Sequence, residues 1–314
     1  MNPLRISLFH TLSIQYGDEN PLNLASRRAQ ELLCYLLLYR DQLHAREKLA
    51  TLLWADKPAA QAKRYLRQIL WQVQAALKPS AQPEQQLLLV DYERMGTNPQ
   101  TNYWLDVVVL EQTFIQVGQT PGRALGAAQV ALLHKAVQLY QGDLLEGWYC
   151  DWCIYERERY QRMYLALLDK LLAHSEAHQA YEAGLTYATQ ILRYDREREQ
   201  THRQLMRLHS LAGNRTAAIH QYASCVSALR DELDVEPAKS TIALYHNHKI
   251  CAEQIPVPAL FFEESASQPA LPQPAKLDPL RQLEGVQATL THLQTQVTQL
   301  IHSLNQPMPR QTEN

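Results

Sequence analysis

Basic and amide side chains recur between residues 63 and 78 at a spacing that suits contact with nucleic acid. The segment predicts a helix over about residues 60–77, whose apolar residues gather on one side of a wheel drawn at 100° per residue. Arginine and lysine on the opposite side can neutralise phosphates or donate to guanine, and glutamine can pair with adenine. The candidate DNA-contacting residues are Lys63, Arg64, Arg67, Gln68, Trp71, Lys78 and, near the tip of a predicted hairpin, Arg94.

A solvated helix surface is the alternative interpretation of this face, because basic residues are common on exposed sides of amphipathic helices. The 314 residues carry 30 basic and 32 acidic side chains, so the net charge of −2 gives no sign of a nucleic-acid partner. Acidic residues close in sequence weaken the local field. They are Asp56, Glu84, Asp91 and Glu93. Both interpretations stay open on the residues of this helix alone.

Short strands are expected at the start of the chain, where apolar and polar residues alternate. The pattern predicts strands over residues 4–8 and 12–14, and a turn at residues 17–20. Residues 22–24 are expected to form a third strand, which would close a small antiparallel sheet.

Three helices and a hairpin are predicted next. Ser26 can cap the first helix, and Pro58 lies just before the third. Helices are expected over residues 27–40, 46–54 and 60–77, and hairpin strands over residues 87–90 and 94–98. This order predicts a winged helix-turn-helix with a small β-sheet, which we assign to residues 1–102 as a DNA-binding domain.

Residues 103–253 have helical periodicity almost throughout, so the chain as a whole is expected to be mainly α. Paired helices with short connections predict stacking like that of tetratricopeptide repeats. The helices are expected over residues 107–116, 127–140, 152–179, 180–193, 197–212, 215–232 and 238–251.

The end of the chain has a different composition. Residues 254–279 contain six prolines, which predicts a flexible or extended linker. Apolar residues in residues 280–306 are spaced alternately by three and four, which predicts a C-terminal coiled coil that forms a homodimer. The alternative is an amphipathic helix that folds back on the repeats. The stripe consists of Leu283, Val286, Leu290, Leu293, Val297, Leu300 and Leu304.

Two sequence patterns could belong to a metal, redox or acid–base site. Cys150 and Cys153 form a C-x-x-C pair, but no two further ligands follow at zinc-site spacing, so thiols packed in the helical core are the favoured interpretation. The carboxylates of residues 155–159 alternate with arginine, which predicts a solvated face with ion pairs. We therefore predict no metal, no cofactor and no catalytic residues.

The chain is not expected to be an enzyme or a membrane protein. It contains neither a G-x-x-x-x-G-K-[ST] nor a G-x-S-x-G motif. It has no apolar run of about 18 residues and no secretory signal pattern. Five scattered cysteines fit a reducing compartment, so we expect a cytoplasmic protein.

Several short blocks of this sequence occur in an order shared with one family. They are residues 27–33 (RRAQELL), 46–54 (REKLATLLW), 62–71 (AKRYLRQILW), 103–107 (YWLDV), 142–148 (GDLLEGW) and 229–237 (LRDELDVEP). Over about residues 3–250 the chain resembles the SARP-type (antibiotic regulatory protein) bacterial transcriptional activators, in which an OmpR-like winged helix precedes a bacterial transcriptional activator domain.

The resemblance implies a winged helix that binds direct repeats in double-stranded DNA and an activator that recruits RNA polymerase. Arg64, Arg67 and Gln68 match the family's DNA-facing positions. The chain departs from the family at Gln72 and Gln74, where relatives often have arginine. Loss of two phosphate contacts would lower affinity and flatten its salt dependence.

The sequence thus predicts a sequence-specific, DNA-binding transcription regulator that acts as an activator. Its helical repeats are expected to offer a surface to a protein partner. The alternative is a tetratricopeptide-like interaction adaptor whose winged helix has weak or no specific DNA binding.

Overall fold

The computed structural model of the chain describes residues 4–17, 21–77 and 86–253, with side chains to residue 247. The predicted linker, the predicted coiled coil with its seven stripe residues, and Lys78 lie outside the described residues. The strands are β1 (Leu4–Ser7), β2 (Ser13–Tyr16), β3 (His44–Ala45), β4 (Leu88–Val90), β5 (Arg94–Thr97) and β6 (Tyr103–Leu105). The helices are α1 (Arg27–Leu38), α2 (Arg46–Leu53), α3 (Ala59–Ala76), α4 (Asp106–Val117), α5 (Ala127–Leu139), α6 (Asp151–Ala177), α7 (Tyr181–Tyr194), α8 (Glu199–Leu211), α9 (Arg215–Leu233) and α10 (Lys239–Glu253).

The N-terminal sheet has the order β2-β1-β6, and its third strand is not the predicted one. β1 pairs with β2 in antiparallel register and with β6 in parallel register, with Ile6 opposite Leu105. The predicted strand over residues 22–24 is wrong. The Leu22 N–H donates to the Ile14 carbonyl at 2.7 Å, and the Leu24 side chain is buried without a strand around it. Alternating leucines therefore mark an extended segment that packs on the core.

The winged helix consists of α1, α2, α3 and the β4–β5 hairpin, as predicted. Ser26 caps α1 by accepting the Ala29 N–H at 3.4 Å, and Pro58 occupies the N-cap of α3. β5 also pairs with the short strand β3, where His44 lies opposite Met95. This additional pairing, which the sequence did not predict, joins the hairpin to the segment just before α2.

Helices α4 to α10 confirm the predicted series of helices. From α6 onward each helix packs mainly on its neighbours in chain order, as in a helical repeat array. α7 approaches α8 closely at Gly184, where an added Cβ would lie 3.0 Å from a methyl carbon of Leu208. None of the helices in the described ranges is both long enough and apolar enough to cross a membrane.

Candidate nucleic-acid interface

Helix α3 presents one face to the core and the opposite face to solvent. Leu66, Ile69, Leu70 and Val73 are buried against α1 and α2. Apolar residues three and four apart form a continuous stripe on a helix, so burying them leaves the opposite side exposed. The recognition face, defined as Arg64, Arg67, Gln68 and Trp71, is exposed along its whole length.

Both arginines of the recognition face lack an ion pair among the described residues. Elsewhere in the chain arginines do pair: Arg28, for example, donates to Glu31 at 2.7 Å on α1. Trp71 is 70% exposed, an unusual position for the largest apolar side chain. Two uncompensated guanidinium groups and an uncovered indole therefore share one side of α3.

Lys63 and Lys78, the other two predicted DNA contacts of this segment, are not part of the recognition face. Lys63 donates to a carboxylate oxygen of Glu47 on α2 at 2.5 Å, and this lysine lowers the pKa of Glu47. Its charge is therefore partly neutralised by the neighbouring helix. Lys78 follows the described end of α3, so its placement stays a prediction.

The tip of the β4–β5 hairpin is organised by Asp91. Its Oδ1 accepts the backbone N–H groups of Glu93 at 2.7 Å and Arg94 at 2.6 Å, and these hydrogen bonds lower the pKa of Asp91. The Arg46 N–H donates to the Glu93 carbonyl at 2.8 Å, which ties the start of α2 to the wing. Asp91 therefore stabilises the turn. The sequence indicated only that its negative charge weakens the local field.

Tyr92 is a candidate contact that the sequence analysis missed. It lies at the tip of the wing and is 93% exposed, next to the exposed side chain of Arg94. The sequence feature that could have identified Tyr92 is an aromatic residue in the hairpin turn, between the two predicted strands. A phenol and a guanidinium are thus both available at the wing tip.

Gln72 and Gln74 are half-buried on the flanks of α3. The Oε1 atom of Gln72 is buried without a hydrogen-bond partner among the described residues. These two positions therefore border the core side of the helix, and the exposed side is supplied by Arg64 and Arg67.

Asp106, at the start of α4, holds the N-terminal sheet to the helical region. One carboxylate oxygen accepts the N–H groups of Leu8 at 2.7 Å and Phe9 at 2.9 Å, and the other accepts the Val107 N–H at 2.8 Å. Burial nevertheless raises the pKa of Asp106 to about 6, because the desolvation of the carboxylate outweighs these hydrogen bonds.

A largely buried ionic network joins the segment just after α1 to α4 and α6. The Glu111 carboxylate accepts from Arg40, from Arg159 at 2.9 Å and from the Tyr160 hydroxyl at 2.7 Å. Arg159 also donates to Glu156 at 2.9 Å. The prediction of a solvated face at residues 155–159 is therefore wrong for Glu156, which is 3% exposed because α6 turns it toward the winged helix.

The C-x-x-C pair also differs from its predicted setting. Cys153 is buried in the core as expected, but Cys150 is only half-buried at the N-cap of α6. Among the described residues no group of three or more histidine, cysteine or acidic side chains is arranged to hold a metal ion.

Comparison with known proteins identifies the helical region. Residues 105–248 match the family described as Bacterial transcriptional activator domain. The chain is 25% identical over 242 residues to the transcriptional regulatory protein MoaR1 of Mycobacterium bovis (strain BCG / Pasteur 1173P2). It shows the same identity to MoaR1 of Mycobacterium tuberculosis (strain ATCC 25618 / H37Rv). Each match covers 73% of this chain and 74% of the relative.

The fold is similar to that of a solved structure, Mycobacterium tuberculosis EmbR in complex with a low affinity phosphopeptide. The TM-score is 0.58 at 17% sequence identity, and the match covers 80% of this chain and 66% of that chain. About a third of the EmbR chain thus lies outside the match. Together these findings show that the chain is a transcription regulator whose helical region, residues 105–248, matches a bacterial transcriptional activator domain.

Proposed function

We propose that the regulator binds double-stranded DNA through the recognition face of α3 and the wing tip. The observation that carries this proposal is the exposure of Arg64 and Arg67 without an ion pair in the described part of the chain. A buried or paired guanidinium would have to exchange its partner for phosphate or guanine. An unpaired guanidinium exchanges only water and counterions, which are released on binding.

The roles of the remaining contacts follow from their chemistry. In the major groove, Gln68 can pair with adenine, and Arg64 or Arg67 can donate two hydrogen bonds to guanine. Trp71 offers apolar surface to a sugar or a thymine methyl group. At the wing, Arg94 can contact phosphates or the minor groove. Lys63, Lys78 and Tyr92 extend the same surface, with Lys63 weakened by its pairing with Glu47.

The helical region is proposed to supply the activating contacts. A bacterial transcriptional activator domain fits recruitment of RNA polymerase, and a helical repeat array offers an extended surface to a protein partner. We place the action of the protein in the cytoplasm, where bacterial DNA lies, and assign it a regulatory and not a catalytic role. The division into residues 1–102 and 103–253, followed by a linker and a coiled coil, is part of the same proposal.

A homodimer is proposed on the apolar stripe of residues 280–306. Two copies of the stripe would bury seven apolar side chains each. Dimerisation would bring two recognition faces to two half-sites, and the second contact would gain from a raised effective concentration. This gain would compensate for the loss of two phosphate contacts, since the chain has Gln72 and Gln74 where relatives often have arginine.

The test is a fluorescence titration of the full chain on duplex DNA that contains direct repeats, with a scrambled duplex as control. We expect saturable binding that prefers the direct repeats and weakens steeply between about 50 and 200 mM salt. Equal, weak binding to both duplexes would contradict specific recognition. That result would favour the interaction adaptor instead.

A further inference from the structure

Cys150 and Cys153 occupy the first turn of α6 in a geometry that permits a disulfide. Cys150 is the N-cap residue, and its carbonyl accepts the Cys153 N–H at 2.9 Å and the Ile154 N–H at 3.1 Å. In a helical turn, Cα atoms three residues apart lie about 5 Å from each other. Disulfides span Cα separations of roughly 4.4–6.8 Å. The backbone would therefore need little movement to join the two sulfurs.

The two thiols differ in access and in acidity. Cys150 is half-buried and keeps some access to solvent, whereas Cys153 is fully buried. A hydrogen bond from the Cys153 thiol lowers the pKa of Cys150, and the same hydrogen bond together with burial raises the pKa of Cys153. A thiolate is the reactive form of cysteine. Cys150 is thus suited to react first with a dissolved oxidant, and Cys153 to react second.

The other described cysteines lack this combination. Cys34 on α1 is fully buried, and burial holds its pKa well above the ordinary value. Cys225 on α9 is also buried, and burial raises its pKa to about 11. Among the described thiols, Cys150 is therefore the one with both solvent access and a lowered pKa.

We propose that Cys150 and Cys153 are a reversible redox-modification site that forms an intramolecular disulfide with a peroxide oxidant. The Cys150 thiolate attacks one oxygen of hydrogen peroxide, the O–O bond breaks, and hydroxide leaves as Cys150 becomes a sulfenic acid. The Cys153 sulfur then attacks the Cys150 sulfur. The S–O bond breaks, the oxygen leaves as water with the Cys153 proton, and the S–S bond forms.

The site lies where a change at the thiols can reach the N-terminal sheet. Arg157 Nη2 is 3.9 Å from the Cys153 sulfur and donates to the carbonyls of Leu145 at 3.0 Å and Trp148 at 2.9 Å. The Leu145 N–H in turn donates to the Leu8 carbonyl at 2.9 Å. The thiol pair therefore shares an arginine with the loop that contacts the N-terminal sheet.

The test treats the reduced full-length protein with hydrogen peroxide, blocks free thiols with N-ethylmaleimide in denaturant so that buried thiols also react, and maps peptides by mass spectrometry. The rates of alkylation before oxidation are compared under native conditions. We expect the peptide that holds both cysteines to lose two hydrogens, to escape labelling and to become labelled after reduction. Before oxidation, Cys150 should be alkylated faster than Cys225, on the order of tenfold or more.

Two variants separate the site from general thiol oxidation. Cys153→Ser should leave Cys150 to form sulfinic acid or a disulfide between two molecules, whereas Cys225→Ser should form the internal disulfide as the wild type does. The proposal is overturned if peroxide leaves the wild-type pair reduced, or if Cys150 joins a cysteine other than Cys153. Stoichiometric zinc that protects both thiols in the purified protein would also overturn it.

Discussion

The guanidinium of Arg27 lies 3.6 Å above the centre of the Trp148 ring. Arg27 begins α1 of the winged helix, and Trp148 lies in the loop before α6, where it is 5% exposed. This cation–π contact and the Glu111 network join the winged helix to the helical region, and the Asp106 hydrogen bonds join the N-terminal sheet to it. The N-terminal part of the chain is therefore held to the helical region by contacts of three different kinds.

The Arg27–Trp148 contact should appear as a coupling energy in a double-mutant cycle. We expect Arg27→Gln and Trp148→Phe to show a non-additive free energy of unfolding of about 0.5–2 kcal/mol, because the contact is partly shielded from water. Urea unfolding of the wild type, both single variants and the double variant measures it. Strict additivity would show that the two residues are neighbours without an energetic link.

Glu111→Gln should be strongly destabilising. The glutamine would leave Arg40 without its anion and Arg159 with Glu156 alone. Breaking a fully buried ion pair costs about 3–5 kcal/mol, and because both arginines are partly exposed we expect a smaller loss of about 2–3 kcal/mol. The matched control is Glu232→Gln, which removes an exposed carboxylate 3.8 Å from Arg196 and should cost less than about 1 kcal/mol. Urea unfolding of both variants measures the two losses of unfolding free energy. Equal losses would contradict a stabilising role for the Glu111 network.

Asp106 should make stability depend on pH. Burial raises its folded-state pKa to about 6, so the folded protein binds this proton more tightly than the unfolded chain does. Its contribution is present in full below about pH 4 and is lost as the pH rises through about 6. Relative to Asp106→Asn, the wild type should therefore become less stable between about pH 4 and 7, by roughly 2–3 kcal/mol.

Urea midpoints of the wild type and Asp106→Asn at several pH values isolate this contribution, because all other titrating groups are common to both proteins. A difference in unfolding free energy that stays constant over this range would contradict the raised pKa. A difference that grows in favour of the wild type would show that the three N–H donors outweigh desolvation.

The sequence predicted those features that depend on neighbouring residues. Helical periodicity, the Ser26 cap, the Pro58 start and the hairpin turn are all encoded within a few residues of each element. The third strand of the N-terminal sheet was missed because β6 pairs with β1 across about a hundred residues of chain. No local pattern distinguishes such a partner from the leucines of residues 22–24.

The same limit applies to the candidate site. The polar face of α3 followed from its periodicity, so the exposure of Arg64 and Arg67 could be predicted. The burial of Glu156 could not, because alternating charges look alike whether a helix faces water or another part of the fold. Pairing of Lys63 with Glu47 also depends on how α2 packs on α3, which the sequence of either helix alone does not define.

The C-terminal segment should determine the oligomeric state. A chain that ends at Gln254 retains the described helices but lacks the apolar stripe from Leu283 to Leu304. Light scattering should give about twice the chain mass for the full-length protein and the single chain mass for the shortened one. Equal association states of the two proteins would assign the stripe to another contact.

Binding of DNA by α3 is tested most directly by the affinity of Arg64→Ala and Arg67→Ala for the direct-repeat duplex. The matched control is Arg207→Ala, which removes the same charge from an exposed position on α8. We expect each α3 variant to lose about 1–3 kcal/mol of binding free energy, roughly 5- to 150-fold in affinity, with unchanged unfolding midpoints. Arg207→Ala should bind as the wild type does. Unchanged affinity in both α3 variants, or an equal loss in Arg207→Ala, would contradict the account.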